Sequence, residues 1–148
     1  MAACASTTVP APPSPSPLAG TEWQLVAIVS MAGEQPTARP PDPSNYTLVF
    51  GTDGRATLHL DCNRGSATWQ ASAAPGDTPG RRSGSLGFGA LVSTRASCAP
   101  ASLEPRVVQA LPFVRTHVLL DDRLHLSLMA DGGILVWAPA PRRAGTGG

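Results

Sequence analysis

The chain carries little charge and contains no lysine. Only 14% of its 148 residues are charged, all 11 basic residues are arginine, and the formal net charge is +1. Proteins that bind nucleic acid or anionic lipid through electrostatic attraction carry a basic patch or a high net charge, which this composition does not provide. The sequence therefore predicts no nucleic-acid partner.

Long apolar runs and metal-binding motifs are also missing. No run in the chain approaches the roughly 18 apolar residues that a membrane-spanning helix needs. The three cysteines and three histidines show neither C-x-x-C nor H-x-x-x-H spacing, which are the arrangements that zinc sites favour. We therefore expect no metal and no cofactor.

A thiol-dependent enzyme is the main catalytic alternative. Its nucleophile would be Cys62 or Cys98. Its base would have to be His59, His117 or His125. Only His59 lies close to a cysteine in sequence, and residues three apart in a strand point to opposite faces. The sequence therefore predicts no catalytic residue.

The first 17 residues contain few large apolar side chains. The segment opens with Met1-Ala2-Ala3-Cys4 and continues through Ser, Thr, Pro and Ala to Pro17. Small residues before a cysteine, followed by a Pro-rich stretch, resemble the lipidation motif and tether of bacterial lipoproteins. We therefore interpret residues 1–17 as a disordered leader or tether and expect a lipid on Cys4 to anchor the chain to a bacterial membrane. The alternative is an unmodified cysteine in a flexible leader.

The basic and apolar parts of a signal peptide do not precede Cys4. Exported lipoproteins need both parts for recognition before cleavage. We therefore expect either that the natural start lies upstream or that Met1 belongs to the signal.

Alternation of apolar and polar side chains predicts a single, mainly antiparallel β domain over residues 18–138, followed by a disordered tail over 139–148. The clearest hairpin joins strands at 46–50 and 55–60 through a turn at 51–54. Pro- and Gly-rich composition predicts surface loops over 34–44 and 71–85, and Asn63-Arg64-Gly65 is predicted to form a turn. The remaining strands are predicted at 18–28, 66–70, 86–88, 116–120, 124–129 and 134–137.

One helix is predicted after Cys98. Ser102 can cap it, and Glu104 and Pro105 suit its first turn. Arg95, just before the helix, is predicted to form a structural ion pair with Glu104. The apolar residues that recur at helical spacing are Leu103, Val107, Val108, Leu111 and Val114.

The order and spacing of these pieces resemble the META domain family, which includes the HslJ-like bacterial proteins. The resemblance covers residues 18–138 and implies an α+β fold with about seven or eight antiparallel strands and one packed helix. The family usually has glycine before its first cysteine, whereas this chain has Asp61. The matching pieces are 18–23, 50–60 leading into Cys62-Asn63-Arg64, Thr94-Arg95 with Cys98, 104–111 and 124–126.

The resemblance also implies a disulfide between Cys62 and Cys98. Structural disulfides persist outside the reducing cytosol, so the pair implies a periplasmic or extracellular protein. Asn63 and Arg64, beside this disulfide, are possible binding residues. The alternative is that Asn63 serves a turn conformation and Arg64 is a solvated surface charge.

The function implied is a non-catalytic, exported protein with a binding or stress-protective role in the bacterial cell envelope. No enzymatic activity is established for the family. We expect a monomer whose partner is an unidentified envelope protein or small ligand, and whose contact with the membrane is made only by the lipid on Cys4. The alternative is a small-ligand binder with an apolar pocket between sheet and helix.

Overall fold

The computed structural model describes residues 17–30, 37–74, 81–129 and 132–140. One helix, α1 (Glu104–Ala110), follows the sixth of the nine strands in these ranges, and 3₁₀ helices form at Pro43–Asn45 and Leu111–Phe113. The strands are β1 (Glu22–Val29), β2 (Tyr46–Phe50), β3 (Arg55–Leu60), β4 (Asn63–Ala73), β5 (Arg81–Phe88), β6 (Val92–Ser93), β7 (Val114–Leu120), β8 (Arg123–Leu128) and β9 (Ile134–Pro139).

Eight of the described strands close into an antiparallel barrel. They pair in the order β1-β2-β3-β4-β5-β7-β8-β9, and β9 pairs back onto β1. β6 lies outside this circuit and pairs with β4 through Gly65–Ser93 and Ser66–Val92. The predicted antiparallel sheet with one helix is confirmed, and its closure is an additional feature of the fold.

The barrel interior follows from strand alternation, because every second side chain points inward. Phe50 packs edge-on against Trp69 with ring centroids 5.0 Å apart. The indole N–H of the fully buried Trp137 has no hydrogen-bond partner in the described part of the chain. The largest fully buried side chains are Trp137, Phe50, Leu18, Leu25, Leu48, Leu58, Leu60, Leu86, Leu111, Leu124, Leu126 and Leu135.

A turn and the helix supply core side chains at opposite ends of the barrel. At the end where β1 begins, Leu18 is buried in the turn before the strand, and Gly20 N–H donates to Phe50 C=O at 2.6 Å. At the other end, α1 and the 3₁₀ turn bury Val107, Ala110 and Leu111 in the same core cluster. The helix therefore packs on the sheet, as its apolar stripe predicts.

Tyr46, the first residue of β2, holds the start of the helix. Its buried hydroxyl accepts a hydrogen bond from Leu103 N–H at 2.9 Å and lies 3.2 Å from the Ser102 hydroxyl oxygen. Ser102 Oγ in turn accepts from Glu104 N–H at 3.1 Å, so the predicted residue serves the first turn of the helix, although the N-cap position itself is Leu103 and has no side-chain cap bond. These bonds attach the helix to the strand end.

The described ends of the chain lie together, at the barrel end opposite α1. Ala140 N–H donates to Glu22 C=O at 3.1 Å, and Leu18 lies only a turn away from the same strand start. In the ranges that the structure covers, no helix is long and apolar enough to cross a membrane.

The predicted turn at 63–65 is wrong. The chain reverses two residues earlier, at Asp61-Cys62, and Asn63 already pairs with Leu60 as the first residue of β4. Asp61 adopts a φ of 58°, a left-handed conformation that glycine reaches most easily and aspartate tolerates. The aspartate therefore occupies a conformation typical of the glycine that the family usually has here.

The predicted loop over 71–85 is also partly wrong. β4 continues to Ala73, and β5 begins at Arg81, where it pairs with β7; from Gly84 onward it also pairs with β4. Hydrogen bonding on two sides overrides the weak strand preference of Gly and Ser. Arg82 is exposed on this strand, and residues 75–80 of the predicted loop lie outside the described residues.

The β7–β8 turn generates a stability prediction. Asp121 and Asp122 have φ values of 54° and 57°, the double left-handed conformation for which Asn-Gly is preferred in hairpins. We expect Asp122→Gly to raise the free energy of unfolding by about 0.5–1 kcal/mol, measured by thermal or urea unfolding, because glycine relieves the left-handed strain.

Asp53→Gly is the matched control. Asp53 lies in the β2–β3 turn at negative φ, where its carboxylate accepts from Arg55 N–H at 3.0 Å. Its loss should destabilise the protein, whereas a lower melting temperature for Asp122→Gly would contradict the assigned strain.

Candidate functional site

A disulfide joins two segments beside the helix. Cys62 lies in the β3–β4 turn and Cys98 in the segment between β6 and α1, with their Cα atoms 5.5 Å apart. Cys62 is exposed and Cys98 is half-buried. Because the two sulfurs are bonded to each other, neither residue is a nucleophilic thiolate in this form.

The side chain of Asn63 hydrogen-bonds to the segment that carries Cys98. Its side chain is buried, Nδ2 donates to Ala96 C=O at 2.9 Å, and Oδ1 accepts from Ala96 N–H at 2.8 Å and from the Thr94 hydroxyl at 2.9 Å. The amide thus satisfies the backbone of Ala96 in both directions, as a strand neighbour would. This geometry supports a structural role for Asn63 and leaves the predicted binding role without a free donor or acceptor to carry it.

Arg64 and Arg95 are both exposed. The side chain of Arg64 leaves the sheet, while its backbone N–H donates to Thr94 Oγ1 at 3.0 Å. Arg95 forms no ion pair with Glu104 in the described part of the chain, so the geometry does not support that prediction. The arginine before the helix is solvated instead.

The histidines do not gather around the cysteines. His117 is buried on β7 with Nδ1 3.1 Å from Ser85 C=O, and His125 is half-buried on β8. His59 pairs with Arg64 across the β3–β4 ladder. Within the described ranges, no group of three or more His, Cys, Asp or Glu side chains could hold a metal ion.

A groove opens between α1 and the ends of β1 and β8. Its volume is about 540 Å³, within the usual range for small-ligand sites. We call it the helix groove. It is lined by Ile28, Arg106, Gln109, Ala110, Phe113, Leu128, Met129 and Gly132.

Two exposed apolar side chains define this groove. Phe113 is 50% exposed and Met129 is 43% exposed, whereas Ile28 and Ala110 are buried beneath them. The sequence analysis does not identify Phe113 and Met129 as site residues, because Phe113 lies outside the helical stripe and Met129 ends a predicted strand. The breaker Pro112 beside Phe113 is the one local signal, since a side chain just after a helix terminus is less constrained to face the core.

A second opening lies on the barrel wall where β5 and β7 diverge. Pairing between these strands ends at Ser85–Thr116, and the cleft beyond has a volume of about 520 Å³. The Ser72 and Ser85 hydroxyls at its edge bond to each other. These two hydroxyls are therefore satisfied within the protein, and Arg115 lines the same cleft.

Comparison with known proteins gives the family. The sequence pattern of the META domain matches residues 16–141, which is most of the chain. The chain belongs to the META domain family. No similar protein was found among curated proteins.

The fold of this META domain has a solved counterpart. It is similar to a DUF4847 family protein from Bacteroides vulgatus ATCC 8482, with a TM-score of 0.55 and 15% sequence identity, covering 85% of this chain and 96% of the other. At that identity, the likeness concerns the fold alone.

Asn63 and Arg64 form a matched pair for testing which residue is structural. We expect Asn63→Ala to lower the free energy of unfolding of the META domain by about 2–3 kcal/mol, because three hydrogen bonds are lost and the Ala96 amide is left unsatisfied. Arg64→Ala should stay within about 0.5 kcal/mol of the parent in the same urea titration. Equal stability of the two variants would contradict the structural role of Asn63.

The disulfide generates a second stability prediction. It joins positions 36 residues apart, so its reduction should remove about 3–4 kcal/mol of stability on the chain-entropy account. Thermal unfolding with and without strong reductant should then differ by roughly 10 °C. Serine substitution of both cysteines gives the control, since reductant should no longer shift its melting temperature. An unchanged melting temperature of the parent would remove the stabilising role.

Proposed function

We propose that this META domain is a non-catalytic binding module of the bacterial cell envelope, exported and anchored through a lipid on Cys4. The observation that carries the proposal is the disulfide between exposed Cys62 and half-buried Cys98. An exposed disulfide is open to reduction by cytosolic thiols, so it is best maintained in an oxidising compartment.

The non-catalytic part of the proposal is supported by the state of the candidate nucleophiles. Cys62 and Cys98 are bonded to each other, and His59 is held in the β3–β4 ladder opposite Arg64. A thiol enzyme would need a free thiolate with a base in hydrogen-bond reach. A binding or stress-protective role requires neither.

The anchor is proposed from the sequence. Cys4 lies outside the described residues, and its motif and Pro-rich context are those of a lipoprotein tether. Acylation would fix the protein to a membrane while leaving the domain in water. We propose a monomer, which needs no partner subunit for these roles.

A second candidate function is the binding of a small apolar ligand. The helix groove favours it, because Phe113 and Met129 stay exposed above a buried floor between sheet and helix. A recessed apolar surface with few polar groups is the usual form of a small-ligand site. The two functions are compatible, since an anchored module can present such a groove.

The envelope proposal is tested by the intact mass of protein purified from its native host. We expect a diacyl or triacyl mass on an amino-terminal Cys4, with Cys62 and Cys98 alkylated only after reduction. Cys4→Ser should release the exported protein from membranes. A Ser6→Ala variant, which changes the same segment without removing the thiol, is the matched control and should stay bound.

Free thiols on Cys62 and Cys98 together with an unmodified Met1 would reject the proposal. That result would place the protein in a reducing compartment. Membrane retention of Cys4→Ser would reject the anchor alone.

A further inference from the structure

The helix groove combines exposed apolar surface with positive charge. Four large apolar side chains stand out as exposed in the described residues, and two of them, Phe113 and Met129, lie in this groove. Single exposed apolar residues are common on proteins and need no explanation. Two that converge over buried Ile28 and Ala110 form a continuous apolar surface suited to a ligand.

Two arginines border this apolar surface. Arg106 lines the groove from α1. Arg115 on β7 lines the neighbouring cleft on the barrel wall and reaches the groove only through its contact with Met129. Neither forms an ion pair in the described part of the chain. Nη1 of Arg115 already donates to two backbone carbonyls, so a carboxylate in the groove would meet the Arg106 guanidinium or the remaining N–H groups of Arg115.

Backbone carbonyls set the direction of the Arg115 side chain. Its Nη1 donates to the carbonyls of Pro112 and Val114, each at 3.0 Å, and its Nη2 lies 3.3 Å from Met129 Sδ. These contacts hold the guanidinium beside the exposed methionine without neutralising its charge. A fixed cation next to apolar surface is the arrangement that an anionic amphiphile requires.

We propose that the helix groove binds a free fatty acid of medium chain length. The acyl chain lies against Phe113 and Met129 over Ile28, and the carboxylate is held by Arg106 or Arg115. Guanidinium recognises carboxylate through paired hydrogen bonds, and the groove volume of about 540 Å³ suits one small ligand. The inference rests on the ligand-binding function proposed above and names its ligand.

Titration calorimetry of the full chain with octanoate, decanoate and dodecanoate, each kept monomeric, tests this inference. The dissociation constant should fall by about tenfold for each added pair of carbon atoms until the groove is filled. Decyl maltoside, which has the same chain as decanoate and no charge, should bind several-fold more weakly.

Variants distinguish the residues that contact the acyl chain from those that bind the carboxylate. Met129→Gln should weaken both decanoate and decyl maltoside by about tenfold, because it removes apolar contact. Arg106→Gln with Arg115→Gln should weaken decanoate about three- to tenfold and leave decyl maltoside unchanged. Val92→Ser is the matched control, since Val92 is the most exposed of the four apolar residues and lies on β6 outside the groove.

Binding of decanoate that survives Met129→Gln, or no binding by any of these ligands, would overturn the assignment. Two results would overturn the choice of a fatty acid. One is that the parent binds decanoate and decyl maltoside equally well, and the other is that the double arginine variant binds decanoate as tightly as the parent does. These outcomes leave the envelope location intact, since that is measured by mass and fractionation. Melting temperatures of the variants, all at exposed or half-buried positions, establish that each is folded.

Discussion

The covering of an open-ended barrel is the constraint on which the rest of this structure depends. Pairing of each strand with two neighbours satisfies the backbone around the circuit, but it leaves the apolar interior open to water at both ends. The turn at Leu18 supplies core side chains at one end, and α1 with its 3₁₀ extension supplies them at the other. Because α1 has only seven residues, tertiary contacts must hold it, and the bond from Leu103 N–H to the Tyr46 hydroxyl is one of them.

The disulfide and Asn63 also help to hold the helix in place, because they fix the segment that leads into it. The segment from Thr94 to Cys98 has no regular structure, yet it must deliver the chain from β6 to the start of α1. Asn63 replaces the missing strand neighbour of Ala96, and the bond to Cys62 fixes the segment two residues later. The residues that resemble a binding motif in sequence thus position the helix, and the helix in turn forms one wall of the groove.

The sequence predicts correctly those strands and turns that are determined by residues close together in the chain. The β2–β3 hairpin and the helix after Ser102 were predictable because alternation, turn residues and a cap agree over short spans. The extension of β4 and the strand at Arg81–Ser85 were not, since they exist through pairing with partners distant in sequence. Barrel closure could not be predicted for the same reason, because it depends on the pairing of β1 with β9, which lie more than 100 residues apart in sequence. The groove was foreseen only as a class of pocket, because exposure of Phe113 depends on how α1 meets the sheet.

The hydrogen bond between Ala140 and Glu22 makes the two ends of the barrel different. Both described ends of the chain leave from one pole of the barrel, and the helix groove opens at the other. Attachment through either described end, whether by a natural tether or an engineered fusion, therefore joins the domain at the pole opposite the helix groove. The point of attachment therefore leaves the helix groove uncovered at the opposite end of the barrel.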